Sequence, residues 1–516
     1  MAASDISCPK CAHCFNLSDF DLPELSTSNV LETNAIPEET DLPLLCEFLA
    51  TGRSRMASLS AKIKLLQSAV ETLSGKKNEL DLAIRKHEGS LSLSRRLPSE
   101  ILAFIFQFSV AAQPYRAPWI VSAVCARWRS AALSHPRLWA SLHYGQLSRG
   151  RNQDLLQYET QLFRSGQVPL DVQFIVGDWL PEDGLTEVEK SILQLFCNHA
   201  SRWEAVSLRG EHWFFAHLGQ CIQDPFTCLR KIKVEVSRMV SDPVITVDIF
   251  RDAPLLQEVQ ANRELWGAPL SMALNWTQLA RYGGSNTWIG HLHTLQVASN
   301  LVDCSLEIQG DFASFEAPTA VLLPHLRRLS LSHPQFLQFL ETPSLLELYC
   351  DYDANTVNSF IRKQNCTLQK LVMWECGVPG DAAILIRLIE TLKSLVILCL
   401  LFEPPVEFLE HMSSRVDTLA PSLTHFSTFL RFPGAMDDDG DLVQNHLIQA
   451  IESRCPIGRL KSVRLYSIKP LLILDRLEKL KADGLSYAVF DGLRFLSLDK
   501  VDLEDIPPEL TIFTME

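Results

Sequence analysis

The chain has 516 residues, 47% of them hydrophobic and 21% charged, the composition of a folded protein in two or three domains or one extended solenoid. A formal net charge of −14 argues against nucleic acid as the main ligand, because phosphate binding needs a basic stripe. The start MAASDISCPKCAHC has no apolar core behind a positive charge, and no run of about 18 apolar residues occurs, so neither a secretory signal nor a membrane span is expected.

Residues 1–41 are rich in Ser, Thr, Asp, Glu and Pro without periodicity, which predicts a flexible tail. Cys8, Cys11 and Cys14, with His13, form the one cluster with metal-ligand chemistry. A closed zinc site needs four ligands, and the adjacent His13 and Cys14 are poorly placed to share an ion with the other two cysteines. The default is a cysteine-containing tail without metal; partial ligation completed across a dimer is the alternative. Other cysteines, such as Cys228 and Cys399, stand singly in apolar runs and suit reduced, buried thiols in the cytoplasm or nucleus.

Over 42–94 the pattern predicts a long heptad helix. Met56, Ile63, Val70, Ile84 and Leu91 share one heptad position, and Leu59, Leu66, Leu73 and Leu80 share the position three residues on. Only Lys77 and His87 interrupt this coiled-coil seam, and Gly75 falls on the outer face. β-Branched residues at the first position with Leu at the second favour a parallel homodimer through 56–91, in which Lys76 faces Asp81 of the other copy. Folding back on its own chain is the competing reading.

Residues 95–142 predict a compact helical module. In LPSEILAFIFQFS (97–109), Pro98 suits a first helical turn, and Glu100 suits the positive end of the helix dipole. Ile101, Leu102, Phe104, Ile105, Phe106 and Phe108 wrap nearly the whole helix circumference, so every side needs burial. The stretch 118–142, expected as one helix and a short second one, covers one face, and an uncovered apolar face marks a partner site.

From 143 to 516 the chain repeats L-x-x-L-x-L-like units. They are Trp203/Val206/Leu208, Leu229/Ile232/Val234, Leu256/Val259/Ala261, Leu292/Leu295/Val297, Leu326/Leu329/Leu331, Leu345/Leu348/Cys350, Leu368/Leu371/Met373, Leu395/Leu398/Leu400, Leu423/Phe426/Thr428, Leu460/Val463/Leu465 and Leu493/Leu496/Leu498. Helical patterns at 382–392, 442–452 and 471–480 lie between them. Each unit is too small to bury its own apolar face, so neighbours must stack into an irregular leucine-rich-repeat solenoid. Leu329, Leu371, Leu398 and Leu496 are then buried on one continuous parallel sheet. The consensus Asn or Cys of such repeats is matched only at Asn300 and Cys376, and the spacing of about twenty to nearly forty residues is wider than usual.

LPSEILAFIF followed by VCARWRSAALSHPRLW resembles an F-box, with its L-P-x-E-[LI]-L-x-x-I-F opening, V-C-x-x-W-R middle and P-x-L-W close. With the upstream LETNAIPEETDLPLLCEFLATG and heptad helix, residues 30–142 resemble the F-box-domain proteins of mushroom-forming fungi; the rest is similar only in architecture. The resemblance implies an α/β protein with an N-terminal coiled-coil helix, a helical F-box and an irregular leucine-rich-repeat platform. It implies a substrate-receptor subunit of an SCF-type cullin-RING ubiquitin ligase, with a SKP-type adaptor joining the F-box to the cullin scaffold and a client protein on the repeats. Leu97, Pro98, Ile101, Leu102 and Ile105 match the adaptor-contacting first helix. Val124, Trp128, Leu138 and Trp139 match positions that hold the module together or complete that contact, and core packing is the plainer role for Trp128. The family role needs neither cofactor nor catalytic residue in this chain.

Two further signals are set aside. DDDGD (437–441) lacks calcium-loop spacing and suits a solvated loop before a helix, while Gly283-Gly284 is expected as a turn. HExxH, GxSxG and GxGxxG do not occur, so an enzyme is the weakest reading. The main rival is a non-proteolytic interaction scaffold with an F-box-like helical module.

Overall fold

The computed structural model describes residues 6–7, 14–15, 36–91, 95–112, 116–145, 152–176, 184–236, 245–263, 270–309, 320–364, 366–374, 381–430, 439–455, 459–467 and 471–491. The chain divides into two compact units, Met1–Pro98 and Ser99–Glu516.

In the first unit, α1 (Leu42–Leu91) is a single helix of 50 residues. Pro43 sits in its first turn, where a missing N–H costs no helical bond. The helix continues through Gly75, at which an added Cβ would touch nothing within 4 Å. The helix carries exposed ion pairs, Lys76–Glu79 and Arg85–Asp81, each 2.9 Å. Ile6–Ser7 and Cys14–Phe15 form a short antiparallel pair. Cys8, Cys11 and His13 lie outside the described residues, and so does the question of metal there.

The second unit is mixed α/β. It opens with α2 (Ser99–Ala112), α3 (Ala117–Val124), α4 (Ala126–Leu133) and a 3-10 turn, Pro136–Trp139. A long parallel sheet follows, made of β1 (Ser141–Tyr144), β2 (Leu170–Ile175), β3 (Trp203–Gly210), β4 (Lys231–Val236), β5 (Glu258–Arg263), β6 (Arg281–Thr287), β7 (Asp303–Gln309), β8 (Arg328–Leu331), β9 (Glu347–Asp351), β10 (Lys370–Trp374), β11 (Ile397–Leu401), β12 (His425–Leu430), β13 (Ser462–Ser467) and β14 (Ser486–Asp491). These 14 strands lie side by side in chain order. Two small parallel pairs, Ile245–Val247 with Leu270–Met272 and Val321–Leu322 with Leu340–Glu341, lie in the connections.

Parallel neighbours need crossovers, and crossovers keep one hand. When strand order never reverses, that rule sends all the connections to the same face of the sheet. The connecting helices include α5 (Asn152–Ser165), α6 (Glu187–Cys197), α7 (His212–Cys221), α8 (Trp288–Val297), α9 (Ala354–Gln364), α10 (Ala382–Thr391), α11 (Val406–Ser414), α12 (Asp439–Arg454) and α13 (Leu474–Ala482). One register row runs through every strand, from Leu142 and Val172 through Cys304, Leu329, Leu348, Leu371 and Leu398 to Val463 and Tyr487. With the row two residues on, it packs on helix residues such as Leu385, Leu409 and Leu447 in one continuous core. Arg454, fully buried at the end of α12, donates to the carbonyls of Met412, Leu419 and Ala420, so its charge is solvated by peptide oxygens.

Leu329, Leu371 and Leu398 are buried on this sheet as expected, and Leu496, with the unit Leu493/Leu496/Leu498 and Cys376, lies outside the described residues. The unit at Leu292/Leu295/Val297 needs correction. These residues lie on α8, where Trp288, His291, Leu292 and Leu295 are buried at helical spacing. Asn300 follows that helix, and its side chain donates to the Thr277 carbonyl at 2.7 Å. Gly283-Gly284 is no turn; both residues lie inside β6. At Gly284 φ is +147°, and a Cβ would sit 1.9 Å from the Ala261 carbonyl oxygen. Only glycine lets β5 approach there. The stretch 118–142 forms two helices, a 3-10 turn and the start of β1 rather than one helix and a short second one. Among the described residues no helix is long and apolar enough to cross a membrane.

Candidate functional site

Helix α2 has almost no polar side. Leu102, Ala103, Phe106 and Val110 are buried, a set spaced to share one face. The set Ile101, Phe104, Ile105 and Phe108 has the same spacing and is 43% to 65% exposed. Both faces are apolar, and among the described residues only one is covered by the fold. The Phe104 and Phe108 rings meet edge to face at 5.1 Å, so the outer face is itself packed.

The inner face rests on aromatic anchors. Phe106 packs on Trp128 with ring centroids 4.9 Å apart. Fully buried Trp139 donates from Nε1 to the Ala132 carbonyl at 2.9 Å, tying the 3-10 turn to α4. Trp119 meets Trp139 edge to face at 5.1 Å, and the Arg164 guanidinium of α5 lies 4.4 Å from the Trp139 ring and 4.9 Å from Trp119. That cation–π contact pins the three helices to the first sheet crossover. Burial holds the Arg164 pKa below its usual value. Cys125 caps α4 by accepting from the Trp128 amide at 3.5 Å.

On α3, Ile120 and Val124 are four residues apart and both more than half exposed, and Leu133 of α4 is exposed as well. The surroundings are basic in an acidic chain. Residues 99–140 hold four arginines, Arg116, Arg127, Arg129 and Arg137, against one acid, Glu100, and all five are exposed. Exposed apolar side chains and exposed positive charge thus occur together in this helical module.

The expected contact residues therefore separate. Ile101, Ile105 and Val124 present apolar surface to solvent. Leu102, Leu138 and Trp139 are fully buried and pack in the core of the module. Trp128 is partly buried against Phe106. Pro98 is exposed and Leu97 partly buried. Phe104, Phe108 and Ile120 add to the exposed apolar surface beyond the residues that the motif picks out. Their spacing from Ile101 and Val124 was the available signal.

A second surface lies on the sheet face away from the core. Lys231, Glu258, Arg281, Asp303, Arg328, Glu347 and Lys370 form one register row of alternating charge. Lys231–Glu258 is 2.7 Å, Arg281–Glu258 3.5 Å, and Arg328 reaches both Asp303 and Glu347 at 3.1 Å. Burial raises the Asp303 pKa despite Arg328 and Arg281. Burial also acts upward on Glu347, but hydrogen bonds from Tyr349 and Arg328 outweigh it and its pKa falls. Beside the row, Tyr349, Val372 and Cys399 form a small apolar cluster with Trp374 and Leu401 packed on it. Among the described residues no group of three His, Cys, Asp or Glu could hold a metal ion. No protein-family model matches the chain, and no curated protein matches it.

Proposed function

We propose that the protein is an F-box-type substrate receptor: the exposed apolar face of α2 and α3 docks a SKP-type adaptor of a cullin-RING ubiquitin ligase, and the sheet region acts as an irregular leucine-rich-repeat platform for a client protein. The observation that carries the reading is the outward row Ile101, Phe104, Ile105 and Phe108, exposed on a helix whose opposite face is fully buried. The motif order from Leu97 to Trp139 supports it from the sequence side. Strands in strict chain order, with an apolar inner row that carries leucine at Leu329, Leu348, Leu371 and Leu398, support the repeat reading. In this role the chain supplies binding surfaces, and ubiquitin transfer belongs to other subunits.

The test is co-elution of the full chain with a purified SKP-type adaptor on size exclusion. A shared peak is expected at moderate salt, weakening as salt rises because the exposed arginines of the module contribute to encounter with an acidic adaptor. Separate peaks at all salt concentrations would remove the ligase reading and leave an interaction scaffold.

A further inference from the structure

We propose that α1 is a dimerisation element whose occupant is α1 of a second copy, parallel and in register. The helix is unbroken from Leu42 to Leu91, which gives a fold-back no hinge within it. Along the seam, the apolar residues from Met56 to Ile84 are 37% to 70% exposed. A stripe of that length at alternating spacings of three and four residues is what a two-stranded coil buries.

The polar interruptions and flanking charges choose the orientation. In a parallel, in-register pair, Lys77 meets Lys77 and His87 meets His87 of the second copy, so each polar layer is matched to itself. In an antiparallel pair with the same layers overlapped, Lys77 lies against Leu66 and His87 against Met56, burying each polar group against an apolar one. The parallel pair also sets Lys76 beside Asp81 of the other copy on both sides of the seam. Within one chain Lys76 pairs with Glu79 and Asp81 with Arg85 of their own helix, each at 2.9 Å and highly exposed, so exchanging partners costs little. His87 already bonds the Ala83 carbonyl through Nδ1 at 2.7 Å, which lowers the cost of covering it.

The inference stands independently of the adaptor reading. Joined to it, the dimer carries two copies of the apolar α2 face in one particle, and paired sites raise avidity without new contacts.

The experiment uses the full chain. Light scattering at low micromolar concentration is expected to give the mass of two chains. Leu59→Cys, in a Cys46→Ser, Cys125→Ser background, is expected to form a disulfide-linked dimer on mild oxidation, above the level of the background alone. Leu66→Glu with Leu73→Glu is expected to weaken self-association at least tenfold. Adaptor binding, read by a separate titration of single sites, is expected to stay unchanged in that variant. A wild-type mass of one chain overturns the proposal. So does crosslinking that appears only when Leu59→Cys chains are mixed with Ile84→Cys chains, which marks an antiparallel pair, and so does a dimer that survives both glutamates.

Discussion

His291 is fully buried in α8, with the Tyr282 hydroxyl 3.1 Å from Nδ1 and the Glu307 carbonyl oxygen 3.1 Å from Nε2. The pair of contacts suits a neutral ring, with Nε2–H donating to the carbonyl and Nδ1 accepting from the tyrosine. Burial pushes the His291 pKa down to about 4, opposed by the Glu307 carbonyl. In the unfolded chain the group titrates near its ordinary value of about 6.5. Because the folded value is the lower one, its contribution to stability is complete above pH 6.5 and is lost as pH falls through 4, on the order of 2–4 kcal/mol in all. Urea midpoints between pH 7 and pH 4 should fall more steeply for the wild type than for His291→Gln; parallel curves would contradict a neutral buried ring. The same neighbourhood shows why single residues are hard to read in advance. Gly284 carries a turn signature, and only the approach of the Ala261 carbonyl reveals that the glycine serves strand pairing.

Adjacent positions on α2 should behave in opposite ways. Phe106 is buried against Trp128, so Phe106→Ala should cost about 3–5 kcal/mol of stability. Ile105, one residue earlier, is 43% exposed, and Ile105→Glu should move stability by no more than about 0.5 kcal/mol. Chemical denaturation of the two variants checks this, and a large loss for Ile105→Glu would place that side chain in the core. The helix was legible in the sequence because Pro98, Glu100 and an apolar run announce its start and its lack of a polar face. Which half of the circumference faces inward was not legible, because both halves are equally apolar and only Trp128, Trp139 and their neighbours decide. The strand–helix alternation was legible at Leu348, Leu371 and Leu398, where leucines repeat in register. It failed at Leu292 and Leu295, since L-x-x-L is also helical spacing and only the burial of Trp288 and His291 beside them settles it. Strands β1 and β2 fall outside the L-x-x-L-x-L units because their corresponding positions, Trp139/Leu142/Tyr144 and Pro169/Val172/Phe174, lack leucine at the first and third places.

At the scale of the molecule, each strand of the sheet pairs with its neighbours in sequence, and the main core runs from Ala140 to Leu485 in one cluster. Leu371 sits mid-sheet between Leu348 and Leu398 with no exposed surface. Leu371→Ala should cost about 2–5 kcal/mol, read as a lower denaturation midpoint, whereas a change below about 1 kcal/mol would mean that the row does not bear on stability. Because that core holds the sheet and the helical module is pinned to it through Arg164 and Trp139, a defect in adaptor binding can be separated from a defect in folding. The decisive measurement is therefore a calorimetric titration of a purified SKP-type adaptor into the full chain and into Ile105→Glu, with thermal unfolding recorded for both. Adaptor docking on the outer face of α2 predicts tight binding by the wild type and at least a tenfold weaker dissociation constant for the variant at an unchanged unfolding temperature. Equal binding by the two proteins, or no binding by the wild type, would contradict it.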